Sequence, residues 1–169
     1  GDRITLHLPM SIHVREWEKN KNSVSVNYGP LTFSLKIDEK YVKVASTKEN
    51  AVADAKWQPT ADQTKWPTFE IYPASAWNFG LELNKQDPAM SFEVERRAWP
   101  KDNNPFTNKS APIVLKAKGR QIPGWKIEQY GLCGLLPDSP ATTSEPETSI
   151  TLVPMGGARL RISAFPVVN

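Results

Sequence analysis

Ile150-Thr-Leu-Val-Pro-Met-Gly-Gly-Ala-Arg-Leu-Arg-Ile-Ser-Ala-Phe-Pro166 decides the fold class. Apolar residues alternate on both sides of Gly156-Gly157, so the stretch reads as strand, tight turn, strand. The same period of two recurs upstream. Ile4-Thr-Leu-His-Leu8 alternates strictly until Pro9, and Ser11-Ile-His-Val-Arg-Glu-Trp17 alternates again. After a polar turn at Glu18-Lys-Asn-Lys-Asn22, Ser23–Tyr28 and Leu31–Ile37 are joined through Gly29-Pro30. Tyr41–Ala45, Phe69–Pro73, Trp77–Leu83, Ser91–Glu95, Ile113–Gly119 and Trp125–Gln129 complete the expected strands. Period two over many short segments is the pattern of half-buried antiparallel strands. Asn50–Lys56 alone has helical propensity, and it is too short for more than a turn or two. The expectation is an all-β chain, an antiparallel β-sandwich of jelly-roll type with little helix.

Composition fits that reading. At 169 residues the chain is one domain or two small ones, and 15 prolines and 9 glycines cut it into short segments. Residues 1–40 are expected to complete or belong to a first sandwich and 41–169 to form the C-terminal one, with one continuous domain as the other arrangement. No apolar run reaches the roughly 18 residues of a membrane helix, so no membrane partner is expected. The start, Gly1-Asp2-Arg3-Ile4, does not read as a secretory leader and is expected to lie inside a longer protein. The 21 basic and 18 acidic residues leave a net charge of +3. Lys36, Lys40, Lys43 and Lys48, then Lys116, Lys118 and Arg120, fall mostly at alternating strand positions. That is a solvated face that also blunts edge pairing, so no nucleic-acid partner is expected.

A single cysteine, Cys133, excludes an intrachain disulfide, and its apolar surroundings, Tyr130–Leu136, read as buried packing. His7 and His13, the only histidines, are remote from it in sequence. Glu93 and Glu95 face one way on an expected strand, which reads as solvent face before it reads as a carboxylate pair for catalysis. Asn108-Lys-Ser110 matches a glycosylation sequon but carries no functional expectation. The chain therefore has no expected catalytic residue, metal ligand or cofactor. Aromatics offer the better lead, because sugar C–H faces stack on indole and phenol rings while neighbouring amides fix hydroxyls. Trp57, Trp66, Tyr72, Trp77 and Asn78 are the candidate carbohydrate contacts, with Trp77 and Trp125 alternatively core anchors.

Several segments, in order, carry a resemblance. Asp2–Met10 followed by Tyr28-Gly-Pro-Leu-Thr-Phe33, Tyr72-Pro-Ala-Ser-Ala-Trp-Asn-Phe-Gly80, Ala117–Lys126, Leu136-Pro-Asp-Ser-Pro140 and the closing Ala158–Pro166 are similar to the β-L-arabinofuranosidase-like glycoside hydrolases, family 127 and its relatives. The resemblance implies the C-terminal β-sandwich part of a bacterial enzyme, periplasmic or secreted, whose catalytic unit is a helical barrel with a cysteine-rich zinc centre. None of that centre's residues maps onto this chain. The implied role is a non-catalytic accessory domain packed on the catalytic helical-barrel domain of the same polypeptide. The other reading is a carbohydrate-binding module, with glycans as partners.

Overall fold

The computed structural model describes residues 1–44 and 64–169. Ten strands are assigned in chain order: β1 (Ile12–Trp17), β2 (Ser23–Tyr28), β3 (Leu31–Leu35), β4 (Glu39–Val44), β5 (Thr68–Pro73), β6 (Phe79–Glu82), β7 (Glu93–Arg96), β8 (Ile113–Gln121), β9 (Glu147–Pro154) and β10 (Val167–Val168). Among the described residues strand takes 40% and short 3-10 turns 9%, with no α-helix, as the all-β expectation requires. The helical expectation for Asn50–Lys56 lies outside the described residues.

Eight strands form one sheet in the order β1-β2-β3-β9-β8-β6-β10, with β7 also paired to β8. The sheet is antiparallel except for the parallel pair β6–β10, and it curls so that its strands face one another across a shared interior. The chain end closes the curl. Phe165 exchanges two backbone hydrogen bonds of 2.8 Å with Val24, and the Pro166 carbonyl accepts one of 2.8 Å from Leu81. Residues 165–168 thus bond to β2 on one side and β6 on the other.

The alternation explains what lies inside. Val24, Val26 and Tyr28 of β2, Phe33 and Leu35 of β3, Leu81 of β6, Leu115 of β8 and Leu152 of β9 meet around Phe165. Each buried aliphatic or aromatic side chain contributes about 1.5–3 kcal/mol relative to exposure. Successive residues point to opposite faces, so Val114 and Val153 form a second, outer cluster with Ala111 and Ala158. The turn between β2 and β3 is tight, with Tyr28 opposite Leu31. Gly29 has φ +54°, and a Cβ there would also lie 2.8 Å from the Met10 side chain. Both constraints select glycine.

Four expectations need correction. Ile4–Leu8 joins no ladder, and Ile4, Leu6 and Leu8 are exposed. Tyr41–Val44 does not extend the main sheet but pairs with β5 in a separate two-stranded sheet. Trp125–Gln129 is not a strand; only Ile127 bridges, to Cys133. Lastly, the Gly156-Gly157 turn does not fold the chain back on β9. The segment after Gly157 crosses to β3, where the Ile162 carbonyl accepts from Leu35 at 2.8 Å, and then to β2. A hairpin partner on β9 was unattainable, because both edges of β9 are already occupied, by β3 and β8.

Candidate functional site

The largest group of aromatic candidates gathers where the β4–β5 sheet meets the loop 127–133 and the closing segment. A cleft of about 500 Å³ opens there, lined among others by Glu70, Tyr72, Trp77, Tyr130, Cys133 and Arg161. Two of the five sequence candidates, Tyr72 and Trp77, share it. Tyr72 comes from β5, and its hydroxyl donates to Glu70 Oε2 two residues earlier on the same face. That hydrogen bond, with the glutamate's charge behind it, raises the phenol above its ordinary value, so Tyr72 is a neutral donor-bearing ring. Trp77 is half-buried and meets the buried Trp125 edge to face, with ring centroids 5.1 Å apart and planes at 70°. Trp125 in turn donates its indole N–H to the Gly134 carbonyl at 2.9 Å, tying the far wall of the cleft to the core.

The other three candidates stand elsewhere. Trp66 lies before β5, 75% exposed and outside the cleft. Asn78 is buried, and its amide is committed to the fold. Nδ2 donates to the carbonyls of Ile122 (2.9 Å) and Trp125 (3.0 Å), while Oδ1 accepts from Gln121 Nε2 (3.0 Å). Trp57 lies outside the described residues. Asn108 of the sequon is likewise buried, donating to the Ile37 carbonyl at 2.9 Å.

Cys133 corrects its sequence reading. The residue is exposed on the cleft rather than packed inside. Partial burial pushes its thiol up, contact with Trp125 opposes this, and the Glu128 charge adds to the rise. A thiol raised in this way is a poor nucleophile at neutral pH.

The strand carboxylates are bound up in surface pairing. Glu95 lies 2.6 Å from Arg97 and 3.4 Å from Lys116, and the Arg97 hydrogen bond holds its carboxyl below the usual range. Lys118 meets Glu147 at 3.0 Å and Arg120 meets Glu82 at 3.3 Å, so each of the three alternating cations of β8 has an acidic neighbour. Among the described residues no group of three His, Cys, Asp or Glu side chains is gathered closely enough to hold a metal ion, and no helix is long and apolar enough to cross a membrane.

The sequence reading missed Glu70, Tyr130 and Arg161. Tyr130 stands 87% exposed at φ +64°, a left-handed position rare for a large side chain and invisible to periodicity. Chemically, the cleft can hold a ring against Tyr72 and Trp77, with a carboxylate and a guanidinium at its border. Around it the loop leaves Ile127, Tyr130, Leu132 and Leu135 between 47% and 87% exposed. Comparison of the chain with protein-family profiles, with curated proteins and with solved structures finds no match.

Proposed function

We propose that this chain is a non-catalytic accessory β-domain that packs on the helical-barrel catalytic domain of a bacterial glycoside hydrolase. The observation that carries the reading is the loop 127–135, where four large apolar side chains stand in solvent within nine residues. Single exposed apolar residues are ordinary, whereas a concentrated group marks a surface that another body covers. Ile4, Leu6 and Leu8, 73–93% exposed at alternate positions, add a second such surface. Contacts between domains of one chain commonly bury about 600–1,500 Å². The resemblance of segments spread in order over most of the chain supplies the choice of parent.

Sedimentation tests this directly. The chain alone is expected to self-associate weakly, and to form a one-to-one complex when mixed with the separately produced barrel domain. A chain that stays monomeric and ignores the barrel contradicts the reading. The cleft supports a second reading, a carbohydrate-binding module. It predicts saturable sugar-induced changes in tryptophan fluorescence that disappear in a folded Trp77→Ala variant.

A further inference from the structure

A second concave surface lies on the opposite side of β2 from the core. Register places Arg15 and Trp17 of β1 opposite Ser25 and Ser23 of β2, with Asn27 opposite both His13 and, on β3, Thr32. Apart from Trp17 this face of the two strands is polar, while the facing-in set of the same strands builds the interior. It is also partly walled. Ser163 and Ala164 of the closing segment border it, and Ser34 and Ser163 share a hydroxyl hydrogen bond of 2.7 Å. The result is a cleft of about 540 Å³ lined by Arg15, Trp17, Asn20, Ser25, Asn27 and Ser163 among others.

Its polar groups are pre-positioned. Trp17 donates its indole N–H to Ser25 Oγ at 2.9 Å, and the Arg15 guanidinium sits 3.8 Å over the indole ring. Asn20 donates to Ser23 Oγ at 3.0 Å and Asn27 to Thr32 Oγ1 at 2.9 Å, which orients both amides while leaving their oxygens as acceptors. Among the described residues Arg15 is the only charged one lining the cleft, and no carboxylate lies within ion-pair distance of it. A guanidinium placed over an aromatic ring and without a carboxylate partner has its N–H donors available for a planar anion.

We propose that this cleft binds a saccharide bearing a carboxylate, a uronate residue, with the acid on Arg15, the sugar ring against the Trp17 side of the cleft and its hydroxyls on Asn20 and Asn27. The proposal is independent of the packing reading, since neither the loop 127–135 nor Trp77 lines this surface.

The test titrates the chain with a galacturonate trisaccharide and, separately, with the neutral galactose trisaccharide, following amide shifts of β1 and β2. Saturable shifts with the acidic sugar are expected, with dissociation constants near ~1 mM. Arg15→Gln should weaken binding about tenfold or more, as loss of a charge-assisted hydrogen bond does. Arg15→Lys, which keeps the charge but not the fork, should weaken it by less. Trp77→Ala should leave it unchanged, separating this cleft from the one beside β5. Equal binding of the neutral sugar, no saturation with the acidic one, or an unchanged constant in a folded Arg15→Gln or Arg15→Lys variant would overturn the proposal.

Discussion

The β8–β9 ladder and the β4–β5 ladder arise from the same kind of sequence and end in opposite circumstances. Six residue pairs join each ladder, from Leu115↔Leu152 to Arg120↔Glu147 in one and from Glu39↔Pro73 to Val44↔Thr68 in the other. In the first, Leu115 and Leu152 are wholly buried in the interior, and the adjacent residue of each strand, Val114 and Val153, is wholly buried on the opposite face. In the second no residue is buried, and Tyr41 and Phe69 meet edge to face at 6.1 Å while both remain about half exposed. Two-stranded ribbons are marginal alone. This one is pinned at its base, where the Ala74 amide donates to the Asp38 carbonyl at 2.7 Å and Ser75 Oγ accepts from the Asp38 amide at 2.9 Å. Alternation specifies a strand, and the number of covered faces decides what the strand is worth.

That contrast yields graded predictions. Leu152→Ala should have the largest effect, about 2–5 kcal/mol of lost stability by denaturant unfolding, because it opens a cavity in a wholly buried ladder. Asn78→Ala should follow at about 1–3 kcal/mol, since it strips the carbonyls of Ile122 and Trp125 and the Gln121 amide of their partner. Gly119→Ala should cost about 1–3 kcal/mol, because the new Cβ would lie 2.6 Å from the Gly80 carbonyl oxygen on the paired strand. Tyr41→Ala in the ribbon should change stability by less than about 1 kcal/mol. A ribbon variant as damaging as the core one would erase the comparison.

Acid should act most gently. The Glu95 carboxyl is held below its ordinary value of 4.5 by Arg97, so folding favours its ionised form. Its contribution is therefore complete above the ordinary carboxylate range and is lost as pH falls through the lowered folded value. Glu95→Gln should cost a little more stability at pH 7 than at pH 3, because the ionised form that Arg97 favours is populated less as pH falls. Equal loss at both pH values would show that the pairing with Arg97 and Lys116 does not matter.

Much of the main sheet was legible because its strands carry both halves of the period-two signal. Ser23–Tyr28 was read at its observed bounds and Leu31–Ile37 and Ile113–Gly119 within two residues at each end, as was Phe69–Pro73 in the separate ribbon. The failures share a cause: a strand needs a partner, and alternation does not name one. Ala158–Ile162 alternates as well as any segment here, yet it crosses the sheet because both edges of β9 are taken. Ile4–Leu8 alternates but pairs with no strand among the described residues. The sites were harder to read. Trp77 and Tyr72 converge, but Asn78, their neighbour in sequence, points its amide into the fold, since adjacent residues take opposite sides. Trp17 and Arg15 drew no attention because their stacking depends on a cross-strand serine, Ser25, eight residues from the indole. Cys133 looked like core from its apolar neighbours, and those neighbours turned out to be solvent-facing themselves.

Amide hydrogen exchange, measured on the chain alone and on the chain joined to the barrel domain proposed as its partner, tests the central claim most directly. The account predicts that β8 and β9 exchange slowly in both, and that residues 127–135 exchange rapidly alone and at least about tenfold more slowly when joined. Equally rapid exchange of 127–135 in both forms would contradict it.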